Sequence, residues 1–361
     1  MSSVTGYLAA AAPRAYPRPM RRIGPWSSLS RRCWLAGVLY VSWAFAASAE
    51  SIPTSPGGAP GGPPLEEDSL LAAPTTHDHI GRVVVPVMIN GQGPFRFVVD
   101  TGASHSTISP TAVTALGLTA SPLQSVVLDG ITGSTSVPAV TIDRLEAGVW
   151  VLERTSMPVV WAPVLGGADG ILGAAGLSTQ SLVVDFQHNR VAIAGHMGMS
   201  MRSAAMRVHG VRLADGLMSI NALVGTVRVR AVIDTGAERS LGNLALREAV
   251  IAPKMKGVEA NLTSVYGATK DIEGGELLKV PTISLQSMRI EDVELVFGDF
   301  HIFKVWNLED KPALIIGMDV LGTTASLGID FKNEDIYLAG SVTSDASFLK
   351  HAAGGAASAS H

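Results

Sequence analysis

Short apolar runs broken by turn residues fill the chain from Ile80 onward. Val83 to Ile89 and Phe95 to Val99 are β-branched runs on either side of Asn90-Gly91-Gln92-Gly93, a turn signal of the kind that closes two strands into a hairpin. Helices are expected to be few and short. Ser109-Pro110 reads as an N-cap followed by proline at the first helical position, and Gly117 stops that helix. Asn243 caps a corresponding segment that runs to Ile251. Two further hairpins carry glycine at their tips, around Asp129-Gly130-Ile131-Thr132-Gly133 and around Val265-Tyr266-Gly267-Ala268. The pattern predicts an all-β chain with short helices.

The pattern also repeats. Phe95-Arg-Phe-Val-Val-Asp100-Thr-Gly-Ala-Ser104 returns as Val229-Arg-Ala-Val-Ile-Asp234-Thr-Gly-Ala-Glu238. Asp169-Gly-Ile-Leu-Gly173, followed by Val183-Val-Asp185-Phe186, returns as Leu314-Ile-Ile-Gly317, followed by Gly328-Ile-Asp330-Phe331. Order and approximate spacing are both kept, and the second interval is the longer, as expected where insertions fall in loops. The chain is therefore read as a duplicated domain, with an N-terminal lobe over 79–197 and a C-terminal lobe over 207–340.

The N-terminus is a different object. Arg14, Arg18, Arg21, Arg22, Arg31 and Arg32 precede an apolar run from Cys33 to Ala49 that ends Ala47-Ser48-Ala49. A basic region, an apolar region and a small-x-small ending predict a signal peptide over 1–49 and export to the periplasm or outside. An uncleaved membrane anchor is the alternative, and Ser30-Arg31-Arg32-Cys33-Trp34-Leu35 resembles a twin-arginine export signal. Residues 50–78, rich in proline and glycine, are expected to be a flexible linker, with order beginning near Ile80. The Ala-, Ser- and Gly-rich stretch 341–361 is expected to be a disordered tail.

In 361 residues, 47% of them hydrophobic, there is room for two cores, and a formal charge of −4 gives no basic footprint for nucleic acid. The only cysteine, Cys33, lies in the predicted signal, so stability must come from packing rather than disulfides. No Cys/His cluster suggests a metal, and no cofactor is expected. Met197, Met199, Met201 and Met206, between the lobes, read as adaptable packing.

An aspartate placed directly after a buried strand and before Thr-Gly would be costly as an isolated charge. Two such aspartates, Asp100 and Asp234, point to carboxyls that meet and share a proton, one activating a water while the other polarises a carbonyl. Gly102 and Gly236 leave open amides beside them. Thr101 and Thr235 offer hydroxyls that can bond across a two-fold interface. Asp185 and Asp330, before Phe and a turn, read as strand ends, and His105 as a loop residue.

On these residues the chain resembles the pepsin and retroviral-protease superfamily, from about Ile80 to Gly340. Asp-Thr-Gly occurs twice, each time followed by the apolar-apolar-Gly of that family's ψ-shaped loop, at Ile171-Leu172-Gly173 and Ile315-Ile316-Gly317. The resemblance implies a bilobal fold of two closed β-barrel lobes with ψ-loops, catalytic Asp100 and Asp234, and a polypeptide substrate held as an extended strand beneath flaps. The expected substrate-binding residues are Ser104, Glu238, Gly130, Ile131, Tyr266 and Gly267. The lobes are expected to pair within one chain, as a monomer. A protease-fold module that grips extended peptides by strand addition without cutting them is the alternative. Ala103 and Ala237 cannot donate a side-chain hydrogen bond to the aspartates, which predicts an activity maximum from weakly acidic to near-neutral pH.

Overall fold

The computed structural model describes residues 72–78, 81–148, 150–160, 165–251, 261–269 and 271–340. The predicted signal, the first part of the linker and the tail lie outside the described residues. The described chain is mostly strand and forms two lobes joined by a shared sheet.

The N-terminal lobe is built on the predicted hairpin. Val83–Ile89 pairs antiparallel with Gln92–Val99 through a two-residue turn, Ile89 opposite Gln92, with Asn90 and Gly91 at φ 50° and 75°. Positive φ at both turn residues is what the sequence Asn-Gly supplies. Gly170–Leu172 then inserts between Gln92–Val99, to which it runs parallel, and Thr107–Ile108, to which it runs antiparallel. The C-terminal lobe repeats this arrangement: Met218–Val224 pairs with Val227–Ile233, which runs parallel to Ala313–Ile316, itself antiparallel to Leu241–Gly242. These insertions are the ψ-shaped arrangement expected at Gly173 and Gly317.

Each lobe is one sheet, eight strands in the N-terminal lobe and ten in the C-terminal lobe. In the N-terminal lobe Ile108, at one end of the strand order, also bridges parallel to Val159, just past Trp150–Pro158, and Val160 N–H donates to Ile108 O at 3.0 Å.

A third, six-stranded sheet joins the lobes. Ser181–Asp185 of one lobe pairs antiparallel with Ser326–Asp330 of the other, and each is backed by its own hairpin partner, Arg190–Ala194 and Asp335–Ala339. All ten residues of the two central strands are buried, as a strand covered on both faces requires. Asp185 and Asp330 end those strands and accept the backbone N–H of His188 and Asn333, at 3.0 and 3.1 Å, so both cap turns. Met197 and Met201 pack over Gly328, while Met199 is exposed.

The helices fall as read. Pro110–Ala115 is capped by Ser109 Oγ, which accepts Ala112 N–H at 3.0 Å, and Gly117 sits at φ 65° behind it. Asn243 Oδ1 accepts Leu246 N–H at 2.9 Å at the start of Leu244–Ile251.

Part of the stretch expected to be linker is strand: Ala72–Pro74 pairs with Arg190–Ala194 at the edge of the shared sheet, and Thr76–His77 pairs with Val83–Ile89. Asp78 fixes the next turn by an ion pair with Arg82 at 2.7 Å.

Candidate active site

Both aspartates stand where a buried strand breaks into a loop. Asp100 N–H donates to Leu172 O and Asp234 N–H to Ile316 O, both at 3.0 Å, so each aspartate is tied to the ψ strand of its own lobe. The strands that deliver them, ending Phe97-Val98-Val99 and Ala231-Val232-Ile233, are buried, which fixes the direction of approach.

The two loops are locked to each other by the threonines. Thr101 Oγ1 donates to Ile233 O at 2.8 Å and accepts Thr235 N–H at 3.1 Å. Thr235 Oγ1 donates to Val99 O at 2.7 Å and accepts Thr101 N–H at 3.1 Å. Each hydroxyl thus satisfies one donor and one acceptor of the opposite lobe, and both side chains are buried.

Across this lock the carboxyls face one another. A Cβ placed on Gly102 would overlap the Asp234 carboxyl, and one on Gly236 would overlap that of Asp100. Glycine is required here by close approach. Gly102 N–H donates to Asp100 Oδ1 at 2.8 Å, while Asp234 Oδ1 accepts Gly236 N–H at 2.8 Å and Ala237 N–H at 3.0 Å.

Burial raises the Asp100 carboxyl above its ordinary range; its hydrogen bond with Asp234, the Gly102 N–H and the nearby Arg82 guanidinium oppose that. Burial and the charge of Asp100 raise Asp234 well above the ordinary range. Two adjacent carboxyls in one desolvated site cannot readily both ionise, so the pair favours holding a single proton. Such sharing is the known behaviour of aspartic-protease dyads.

Two serines missed in the sequence support the loops. Ser106 Oγ accepts Gly173 N–H at 3.1 Å and Ser240 Oγ accepts Gly317 N–H at 3.0 Å. Both stand at the same offset from their aspartate, a repeat that was visible in the sequence. Ser240 Oγ also donates to Asp319 at 2.6 Å. Burial raises the Asp319 carboxyl, opposed by those bonds from Ser240.

The hairpin tips meet over this centre's two lobes. Ser121–Gly130 and Gly133–Ala147 carry Ile131 and Thr132 at their turn; Asn261–Tyr266 and Ile272–Lys279 flank the other tip. Thr132 Oγ1 and Thr269 Oγ1 lie 2.9 Å apart. Gly130 lies against Ala268, Gly267 against Thr132 and Ile131, and Ile131 packs on the cluster of Ala237, Leu241 and Phe300. Tyr266 is 67% exposed and ends the strand beside this contact, so Thr269 is the residue that reaches the opposite tip. Ser104 is half-buried with its Oγ 3.0 Å from His105 Nδ1, and Glu238 is exposed.

Two duplicated β lobes, each delivering one carboxyl to a common, desolvated point, define a two-lobed β protein with a paired-aspartate centre. The chain belongs to the aspartyl protease family, which matches it over residues 85–175 and 219–320. The two matched regions fall one in each lobe. No curated protein is similar enough to the chain to match it.

Proposed function

We propose that this protein is an exported aspartic endopeptidase that hydrolyses peptide bonds with a water held between Asp100 and Asp234. The observation that carries the reading is the mutual approach of the two carboxyls across Gly102 and Gly236. Family membership supports a protease-type activity.

In this reading one carboxyl is ionised and takes a proton from the water as its oxygen attacks the scissile carbonyl carbon. The protonated partner gives its proton to the carbonyl oxygen. The product is a tetrahedral diol. It collapses when the newly protonated carboxyl passes its proton to the amide nitrogen, the C–N bond breaks, and a diol hydroxyl returns a proton to the other aspartate. No covalent enzyme adduct forms, and the dyad ends in its starting protonation state.

An extended peptide would enter when the tips joined at Thr132 and Thr269 part, and would lie beneath Gly130, Ile131 and Gly267. Pairing of both triplets within one chain supports action as a monomer. The basic and apolar segment before Ala49 supports export. Incubating the chain with a mixed peptide library, read by mass spectrometry, tests the activity. Internal cleavage lost in Asp100→Asn supports it, whereas binding without cleavage would favour the strand-addition module.

A further inference from the structure

The duplication is broken beside one member of the dyad. In the C-terminal lobe a tight turn leads into Met218–Val224: Leu213 N–H donates to Leu217 O at 2.9 Å, Gly216 N–H to Leu213 O at 3.0 Å, and Gly216 has φ 90°. The N-terminal lobe has the same turn: Asp78 N–H donates to Arg82 O at 3.0 Å, Gly81 N–H to Asp78 O at 3.2 Å, and Gly81 has φ 89°. Asp78 and Arg82 therefore stand where the other lobe has Leu213 and Leu217.

Strand register then places these residues against the aspartates. Val84 pairs with Val98 and Ser219 with Val232, each two residues before an aspartate. Two residues further along both strands, Arg82 falls opposite Asp100 and Leu217 opposite Asp234. Side chains two apart share a face, so Arg82 belongs to the face of Val84, and Asp100 to that of Val98. Arg82 is 5% exposed and Leu217 1%. Asp78 grips the arginine twice, accepting its Nε–H at 2.7 Å and its backbone N–H at 2.8 Å.

Stability alone does not account for the exchange. A buried ion pair seldom outperforms a hydrophobic pair of similar size, and the leucines already close the same turn in the sister lobe. We propose that Arg82, held in place by Asp78, is a positioning residue that assigns the dyad's single negative charge to Asp100 and its proton to Asp234. The proposal deepens the reading above and rests on it. It makes Asp100 the base toward water and Asp234 the acid toward the carbonyl. Burial raises both carboxyls, but Arg82 draws Asp100 down while the charge of Asp100 pushes Asp234 further up. Other charged groups on the described elements around the dyad include Asp319 with Arg239 behind the C-terminal triplet, His105 and Glu238 on the loops after each triplet, and Arg96, Arg228 and Arg230 on the strands that deliver the aspartates.

The test uses the full chain and carboxyl-carbon NMR titration of its labelled aspartates, assigned with Asp100→Asn and Asp234→Asn. In the wild type, Asp234 should take up its proton at higher pH than Asp100. In Asp78→Leu/Arg82→Leu, which installs the sister lobe's pair and leaves no charge unmatched, Asp100 should protonate at higher pH than in the wild type. Arg82→Lys should stay close to the wild type. Cleavage should follow: on the acid limb the double variant should lose about three- to tenfold in kcat/KM relative to its basic limb. An unchanged Asp100 titration in the double variant overturns the proposal, as does a wild type in which Asp100 protonates first. Should the leucine variant not fold, the polar, uncharged Asp78→Asn/Arg82→Gln reads the same shift. A wild type that cleaves nothing defeats the proposed function, while the titration still decides the role of Arg82.

Discussion

Thr235→Val is the sharpest perturbation of the lobe junction. The side chain is fully buried, valine matches its shape, and the change removes two hydrogen bonds that cross between lobes: Thr235 Oγ1 to Val99 O, and Thr101 N–H to Thr235 Oγ1. A buried acceptor and a buried donor are left without partners, at about 1–3 kcal/mol each, so the expected loss is about 2–6 kcal/mol. Thr235→Ser keeps the hydroxyl and should recover most of it. Urea unfolding supplies the stability difference from the shift in midpoint. Because the same loop carries Asp234, cleavage should fall further than the folded fraction does; a displacement of ~1 Å at a catalytic group can cost ~100-fold. A valine variant within about 0.5 kcal/mol of the wild type would refute the reasoning, since surface-like effects are of that size.

Gly236→Ala should abolish cleavage while leaving the chain folded, because the new Cβ would occupy the space of the Asp100 carboxyl; unchanged cleavage would contradict the close approach. The Asp234 carboxyl, raised by burial and by the charge of Asp100, binds its proton more tightly in the folded chain than in the unfolded one. Its contribution to stability is therefore full below the ordinary carboxylate range and lost as pH rises through the raised value, so Asp234→Asn should melt above the wild type at pH 7, with the difference fading toward acid. A lower melting temperature for the variant at neutral pH would contradict that. Activity should peak from weakly acidic to near-neutral pH, and a maximum at about pH 2–3, where both raised carboxyls would be protonated, would count against the reading. Cross-linking the tips through Thr132→Cys/Thr269→Cys, with Cys33→Ser, should stop cleavage when oxidised and restore it on reduction; full activity of the oxidised form would show that the tips need not part.

Much of the fold was readable because the duplication supplied each feature twice. Asn90-Gly91 demanded a tight hairpin, Ser109-Pro110 and Asn243 demanded helix starts, and the structure has all three. Asp100 and Asp234 were conspicuous because a carboxyl after an apolar strand is costly unless it has a partner. What escaped were features set by tertiary contacts. Composition suggested a tether through Asp78, but pairing of Ala72–Pro74 with a sheet edge and the Asp78–Arg82 bridge are long-range or burial effects that composition does not carry. The C-terminal hairpin tip was read around Val265-Tyr266-Gly267-Ala268, and it is the hydroxyl of Thr269, one residue further on, that lies 2.9 Å from Thr132 Oγ1. Ser106 and Ser240 were within reach, since they repeat at one offset, but a serine has no meaning there until Gly173 and Gly317 are known to need an acceptor.

The shared water between the two carboxyls is tested most directly by comparing kcat/KM for a cleaved peptide in Asp100→Asn, Asp234→Asn and the double variant. Residues acting as one unit are non-additive, so each single change should cost at least ~1,000-fold and the double little more than either alone. A single variant that keeps activity within about tenfold of the wild type, or losses that multiply in the double, would mean that the two aspartates do not work on one water.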